Sequence, residues 1–207
     1  KTLAQRLNAG ALPVPIELLS QQTVGPTLGA NSLSRSMNAG LIGFLLVALF
    51  MVFYYRLPGI LSVVALAIYG ILNLAVYKLF GVTMTLAGIA GFILSIGMAV
   101  DANVLIFERL KEELRAGRDL PRAIEQGFQR AWTSIRDGNA TTLIATVILF
   151  FFGASFIKGF AVTLTIGVLL SMFSAIIVTR TFLRLVSLWG IFKSSWLYGV
   201  RKNSQEI

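Results

Sequence analysis

The chain has 207 residues, of which 18 are Lys or Arg and 9 are Asp or Glu, so its formal net charge is +9. Hydrophobic residues make up 56% of the chain and charged residues only 13%, with a mean hydropathy of +0.79. So little charge cannot cover the surface of a soluble domain of this size, and the composition therefore indicates an integral membrane protein. The chain has no Cys and no His, which excludes disulfides, thiol nucleophiles, haem ligation and the usual zinc sites. We expect no metal site, no cofactor and no enzymatic activity.

Residues 1–36 are the only long polar stretch before the hydrophobic part of the chain. A short helical pattern precedes Gly10, and residues 16–24 have the length of a strand although their alternation is poor. We interpret residues 1–36 as the base of a truncated extramembranous domain, because so small a piece cannot fold alone. The turn-rich residues 25–29 are expected to join it to the membrane. Since the chain begins at Lys1, we expect it to be part of a longer polypeptide.

Five runs without an ionisable residue predict five membrane-spanning helices. Each run is close to the roughly 20 residues that cross a bilayer as a helix. The runs cover residues 37–55, 57–77, 79–100, 138–157 and 159–179. The transmembrane domain is accordingly placed at residues 37–186, with spans at 37–55, 57–77, 83–107, 138–157 and 159–183. Single residues, Arg56 and Lys158, separate the first two and the last two runs, which predicts two tight helical hairpins.

The loop at residues 108–137 is predicted to form two short amphipathic helices on the membrane surface. Glu108 with Lys111, and Glu112 with Arg115, are favourable pairs three residues apart on a helix. Gly117 is expected to end the first of these helices, and Asp119 with Pro121 to begin the second. The alternative is a solvated connector that only anchors at the interface.

The distribution of basic residues predicts the orientation in the membrane. If residues 1–36 lie outside, thirteen of the 18 Lys and Arg lie on the inner side, most of them in the loop at 108–137 and after Thr179. The positive-inside rule therefore places the first segment outside and the basic tail at residues 187–207 in the cytoplasm. This asymmetry accounts for most of the net charge, so no nucleic-acid partner is expected.

Asp101 is the leading candidate for function. It follows 22 uncharged residues, 79–100, inside a run that stays apolar through Phe107. A carboxylate at the centre of a membrane helix costs about 2.5–3.5 kcal/mol, and such residues usually mark functional sites. Burial would favour its protonated form and allow it to exchange protons. The alternative is an Asp near the end of the span, wetted by headgroups and bonded to its neighbours.

The helical wheel separates Asp101 from a stripe of small residues. Such a stripe is suited to close helix packing. Its members are Gly88, Gly91, Ser95, Ala99 and Ala102. Asp101 lies off this stripe, on a flank that we expect to point into a polar interior.

Other polar residues near Asp101 are weaker candidates. Asn103 could orient the surroundings of the carboxylate or bond across helices. Asn139 and Thr142 enter the fourth span and could hydrate a proton path or supply oxygens to a sodium site. With Asp101 these three form the predicted ion-coupling set.

The residues assigned to the cytoplasmic mouth of the path have simpler alternatives. Glu108 and Arg109 are at the interface, where charges are ordinary, and this simpler interpretation is favoured for both. Asp137 would make a good N-cap for the fourth span. Arg180 and Arg184 are expected to extend from the end of the last span toward the interface.

Four segments of the sequence resemble the SecD family of bacterial protein-export membrane proteins. They are VGPTLG at 24–29, AVDANVLIFER at 99–109, DGNATTL at 137–143 and KGF at 158–160. The resemblance covers nearly the whole chain and implies an all-α membrane protein. Its five helices would form most of one half of a pseudo-symmetric permease of the resistance-nodulation-division superfamily. It also implies that Asp101 is the ion-coupling aspartate.

The resemblance further implies a function and a set of partners. The expected function is promotion of polypeptide translocation through the SecYEG translocon in the bacterial inner membrane, using a proton or sodium gradient. The expected partners are SecF, SecYEG, the accessory proteins YajC and YidC, the translocating polypeptide and membrane lipid. Two alternatives remain open. One is a passive membrane scaffold in which Asp101 only holds helices together, and the other is a different exporter of the same superfamily.

Overall fold

The computed structural model describes residues 26–188 and 195–199 of the chain. Within them it contains five helices that are long and apolar enough to cross a membrane, and no strand. The first four are α1 (Pro26–Tyr55), α2 (Leu57–Leu79), α3 (Leu86–Arg115) and α4 (Leu120–Phe152). The fifth consists of α5 (Ser155–Phe173), a π-helical segment (Ser174–Thr179) and α6 (Arg180–Leu188), and a 3-10 turn follows at Ser195–Tyr198. The expected all-α fold with five membrane helices is confirmed.

The first helix begins earlier than the expected boundary at residue 37. α1 starts at Pro26, inside the segment expected as the base, and the candidate span within it begins at Asn31. Proline fits the first turn of a helix, where its missing N–H needs no partner. The helix expected before Gly10, the strand expected at residues 16–24 and most of the tail expected at 187–207 lie outside the described residues.

The α1–α2 connection is the tight hairpin that the sequence predicts. Arg56 alone joins the two helices and adopts a left-handed backbone conformation, with φ of 55°. Pro58 lies in the first turn of α2, and Gly59 packs directly on the backbone carbonyl of Met51, where a Cβ atom would collide. A residue without a side chain is therefore required at position 59 for α1 and α2 to approach this closely.

The α3–α4 connection is shorter than expected, because both helices continue beyond their expected spans. α3 runs to Arg115 and ends before Gly117, which has φ of 80°, and Asp119 precedes the start of α4 at Leu120. The predicted stop and start are confirmed, whereas the two separate surface helices are not observed. The amphipathic segments are direct extensions of the third and fourth spans, since no proline interrupts α4 after Pro121.

The turn between the last two spans lies five residues before the expected position. The helix breaks at Gly153 and Ala154, both with extended backbone, and Lys158 lies in the first turns of α5. The expected spans at 138–157 and 159–183 are corrected accordingly. A single charge does not break a helix, whereas Gly153 lies against the carbonyl of Leu149, where a Cβ atom would collide. The ammonium of Lys158 lies 5.9 Å from the ring centre of Phe150.

α3 is the central helix of the bundle. Its most extensive contacts are with α5 and α4, while α1 is the least buried span. We call the end that contains the α1–α2 turn, the α3–α4 turn and α6 the basic end. A hydrophobic core there includes Tyr55, Phe107, Leu110, Ile124 and Leu183. This core fixes the ends of four spans relative to one another, and α3 is held at its centre.

Candidate functional site

The inner face of α3 is the small-residue stripe predicted from the sequence. All five of its residues are buried. A Cβ atom at Gly91 would lie 2.5 Å from the hydroxyl oxygen of Thr163 and 2.8 Å from the carbonyl of Phe160, both on α5. Ser95 packs directly on Gly167 of α5 in the same way. Because the two backbones approach this closely, α3 cannot rotate or slide freely against α5.

The outer face of α3 carries Asp101 and is exposed in this chain. Ala90, Leu94, Gly97 and Asp101 follow one another at spacings of three and four residues, and all are exposed. In the part of the chain that the structure describes, nothing lies within 4 Å of a Cβ atom at Gly97. Among the described residues, none makes a hydrogen bond or ion pair with Asp101. The sequence placed Asp101 off the packing stripe correctly, but the expected polar interior is wrong for this chain, because five helices leave this face open.

Asn103 points in the opposite direction to Asp101. It is 2% exposed, and its side-chain oxygen accepts a hydrogen bond of 2.9 Å from the hydroxyl of Thr179, which is 0% exposed. Thr179 is the last residue of the π-helical segment. Of the two roles considered for Asn103, the structure shows the bond across helices. Isolated π-helical turns are frequent at functional sites, and this contact connects α3 with such a segment.

The fourth span contributes polar groups that do not form one cluster with Asp101. Asn139 is buried, and Thr142 is half-buried with its hydroxyl bonded to the carbonyl of Gly138 at 3.3 Å. Neither makes a hydrogen bond to Asp101 among the described residues. Asp137 is exposed in the interior of α4, where it accepts a bond of 2.9 Å from Arg136 Nε. Its expected role as an N-cap is therefore wrong, since α4 begins at Leu120.

The charges at the end of α3 form ion pairs on the helix surface. Glu108 accepts from Lys111 at 3.1 Å, as predicted. Glu112 pairs with Arg109 at 2.9 Å and with Arg130 of α4 at 3.1 Å, and not with Arg115 as the sequence suggested. Glu108 and Arg109 thus have the ordinary interfacial environment that was the favoured interpretation.

Lys111 is the unexpected member of this group. It is 6% exposed, and its ammonium lies 4.4 and 4.3 Å from the ring centres of Tyr54 and Tyr55. The described part of the tail packs beside it, since a Cβ atom at Gly199 would lie 3.4 Å from Lys111 Cε. Burial raises the pKa of the neighbouring Tyr198 to about 12, so its phenol is neutral at physiological pH. The site holds the α1–α2 turn, α3 and residues 195–199 together.

A second charged cluster was not predicted. Glu125 of α4 accepts from Arg180, and also from Arg184 at 2.5 Å, both on α6. Arg180 and Arg184 thus bind a carboxylate instead of only extending toward the interface. Their spacing of four residues places both arginines on one face of a helix. The sequence therefore indicates that a single acidic side chain could pair with both. The partner itself could not be identified from the sequence, because Glu125 is separated from Arg180 by 55 positions in the chain.

Comparison with known proteins gives a consistent result. The sequence matches the family model of the protein export membrane protein SecD/SecF, C-terminal, over residues 6–189. It is 59% identical over 207 residues to the protein translocase subunit SecD of Thermobaculum terrenum, a match that covers 98% of this chain. It is 58% identical over 186 residues to the protein translocase subunit SecD of Synechocystis, a match that covers 90% of this chain.

The fold is similar to a solved structure as well. The match is to the crystal structure of SecDF, a translocon-associated membrane protein, from Thermus thermophilus, with a TM-score of 0.84 and 38% sequence identity. It covers 98% of this chain and 28% of that chain. The chain spans 40% of the Thermobaculum relative and 39% of the Synechocystis relative. The similarity therefore extends over nearly all of this chain and a minority of each of these proteins.

Proposed function

The chain belongs to the SecD/SecF C-terminal family of protein export membrane proteins, and on this premise we propose that it is the membrane part of a SecD-type protein translocase subunit. In this proposal it acts in the bacterial inner membrane without enzymatic activity. It pairs with SecF and promotes polypeptide translocation through SecYEG by using a proton or sodium gradient. The similarity to SecD proteins and to the SecDF structure supports this assignment.

One observation carries the proposed mechanism: Asp101 lies on an exposed face of the central helix and is the one ionisable residue between Leu86 and Phe107. Asp101 is exposed, and among the described residues no atom lies within 4 Å of a Cβ atom at Gly97. An ionised carboxylate facing lipid is costly, so this face requires either a polar partner surface or protonation. A partner related to this chain by pseudo-symmetry would cover the face and enclose Asp101 between the two halves.

Ion exchange at Asp101 would then change which arrangement of the helices is favoured. The neutral form is tolerated in an apolar contact, and the ionised form demands water or a cation. A membrane potential supplies about 2.3 kcal/mol per elementary charge per 100 mV, which is enough to shift a two-state equilibrium more than tenfold. Asn103 lies two residues further along α3 and accepts a hydrogen bond from Thr179, so a movement of α3 near Asp101 would reach the π-helical segment through this bond.

The proposed orientation places the basic end in the cytoplasm, in accordance with the positive-inside rule. It can be tested with single cysteines, because this chain has none. Arg122→Cys at the basic end and Lys158→Cys at the opposite end are introduced into a complete subunit without other cysteines. An impermeant reagent added to spheroplasts should label the second and not the first. Labelling of Arg122→Cys alone would reverse the assignment.

The decisive experiment is gradient-driven export into membrane vesicles that contain the complete subunit, SecF and SecYEG. Asp101→Asn keeps the shape of the side chain and removes its titration, so we expect the gradient-dependent part of export to be lost. Asp101→Glu retains the carboxyl group but displaces it, and partial activity is expected. Asp119→Asn is the matched control, because it removes an exposed carboxylate at the basic end.

Assembly with SecF must be measured in the same preparations. Loss of gradient-driven export with normal assembly supports the coupling role. Full export by Asp101→Asn would contradict it. Loss of assembly together with export would favour the passive scaffold, in which Asp101 only holds helices together.

A further inference from the structure

A cavity of about 230 Å³ lies at the basic end, between α4 and the fifth span. Its lining is mostly apolar and includes Ile106, Phe128, Trp132 and Ile176, with Gln129 and Arg180 as its polar residues. Apolar cavities of about 150 Å³ in proteins stay dry and bind hydrocarbon ligands. The cavity at the basic end is larger than this and does not include Asp101 or Asn139. It therefore offers a hydrocarbon site separate from the proposed ion path.

Arg180 presents a hydrogen-bond donor that has no acceptor. Its Nη2 atom binds Glu125, but its Nε atom is buried without a partner among the described residues. The guanidinium lies 5.7 Å from the ring centre of Phe128, which also lines the cavity. A buried donor without an acceptor is destabilising, so a ligand that brings an oxygen to this position would be stabilised.

The charge of the surrounding cluster favours an anion. Glu125 is shared by Arg180 and Arg184, so the three side chains carry one net positive charge. Arginine forms short, charge-assisted hydrogen bonds with phosphate oxygens. The unpaired N–H of Arg180 and the net positive charge of the cluster thus both favour an anionic group with oxygen acceptors, such as a phosphate.

The depth of the cavity indicates where this anion comes from. Arg180 is the first ionisable residue after the uncharged residues 159–179, and Trp132 lies in the segment of α4 that precedes its uncharged part. Arg and Trp at such positions are typical of the headgroup level of a bilayer. A phosphate group that is attached to a hydrocarbon chain at this depth belongs to a phospholipid.

We propose that this cavity is a binding site for one anionic phospholipid. Its phosphate accepts a hydrogen bond from Arg180 Nε. The part of one acyl chain that is nearest to the headgroup fills the space lined by Ile106, Trp132 and Ile176. The lipid would thereby join α3, α4 and the fifth span at the basic end. A free phosphate ion would satisfy Arg180 but leave the apolar cavity empty.

The test uses the complete subunit in complex with SecF, with lipid binding counted by native mass spectrometry in detergent. Phosphatidylglycerol is titrated against phosphatidylcholine with the same acyl chains, with and without excess inorganic phosphate. Arg180→Met removes the donor, and Arg184→Met is the matched control, because Arg184 binds the same carboxylate without lining the cavity. Ile176→Trp fills the cavity and leaves every ion pair in place, so it tests the site even where Arg180→Met is poorly folded.

We expect tighter binding of phosphatidylglycerol than of phosphatidylcholine, and no competition by inorganic phosphate. Arg180→Met should weaken the tightest phosphatidylglycerol site about tenfold, the effect of losing one charge-assisted hydrogen bond. Ile176→Trp should abolish that site, whereas Arg184→Met should weaken it at most about threefold, since its charge is exposed and screened. Two outcomes would overturn the proposal. One is that Arg180→Met and Arg184→Met weaken phosphatidylglycerol binding equally, and the other is that Ile176→Trp removes no lipid that is bound to the wild-type complex. The second outcome is the one expected if a protein segment fills the cavity.

Discussion

The two faces of α3 differ in their packing: the inner face lies against α5, and the outer face is exposed. On the inner face, a neighbouring atom of α5 explains each close contact, such as that of Gly91 with Thr163 and of Ser95 with Gly167. On the outer face, a Cβ atom at Gly97 would meet nothing within 4 Å in the described part of the chain, and Asp101 is exposed. The inner face therefore stabilises this bundle, and the outer face is suited to a contact that the bundle does not contain.

This difference separates stability from function within one helix. A packed small-residue face holds α3 in a fixed position, because backbones in close van der Waals contact resist sliding. An open face with one carboxylate adds nothing to the stability of the chain and costs free energy in lipid. Substitutions on the two faces should accordingly have different consequences, and the following variants test this.

Gly91→Leu should have the largest effect, because it breaks the inner face. Even a Cβ atom at this position approaches Thr163 Oγ1 to 2.5 Å, so α3 and α5 would have to separate. Overpacking of this kind typically lowers the free energy of unfolding by about 1–3 kcal/mol or more. A leucine side chain adds more volume than the one or two methylene groups that already cause such losses. We expect the protein to fail to accumulate in the membrane, measured by immunoblot and by thermal unfolding in detergent. Wild-type accumulation and thermal stability would show that the inner face can open.

Gly97→Leu is the matched substitution on the outer face and should have the next largest effect. The site is open, so the side chain itself should not destabilise the chain, and the higher helix propensity of leucine should stabilise it by at most about 1 kcal/mol. If SecF covers this face, the added side chain prevents close approach, and co-purification of SecF should fall strongly. Normal co-purification would show that this face is turned to lipid and not to the partner.

Much of the fold could be predicted because its determinants are local. The uncharged runs indicate five spans, and the spacing of small residues indicates the packed face of α3. The last turn was misplaced because hydropathy marks Lys158 as a boundary, whereas the helix ends where Gly153 permits an extended backbone. Charged residues were also the reason why the amphipathic pattern after Pro121 was predicted as a helix separate from the fourth span. In the structure one helix continues through Asp137.

The candidate site was predicted less completely, because its contacts join distant parts of the sequence. Asp101 could be selected as the carboxylate that follows the longest uncharged run. Its exposure could not be predicted, since a helical wheel shows which residues share a face but not which face has a neighbour. The bonds from Thr179 to Asn103 and from Arg180 to Glu125 span 76 and 55 residues and have no local signal.

Asn103→Ala should have an intermediate effect, because it removes the polar contact between α3 and the π-helical segment. Thr179 would then be buried without an acceptor from Asn103, and the cost should be about 1 kcal/mol, within the range measured for hydrogen bonds between membrane helices. A double-mutant cycle with Thr179→Val, followed by thermal unfolding in detergent, isolates the pair. A coupling energy of roughly 0.6–1.7 kcal/mol is expected. Strict additivity would mean that the two side chains do not stabilise each other.

Tyr69→Phe should have the smallest effect, although it also lies at the inner face. The phenol of Tyr69 donates to Ser95 Oγ at 2.7 Å, and Ser95 in turn donates to the carbonyl of Phe92 at 2.7 Å. Removing the phenol leaves the second bond intact, and the ring keeps its packing, so the loss should be roughly 0.6 kcal/mol. Tyr54→Phe is the control, because Tyr54 is exposed and should show no change in thermal unfolding. A loss of several kcal/mol in Tyr69→Phe would mean that polar bonds, and not the close approach of small residues, hold α3 in place. The distinction between its two faces would then rest on hydrogen bonding instead of packing.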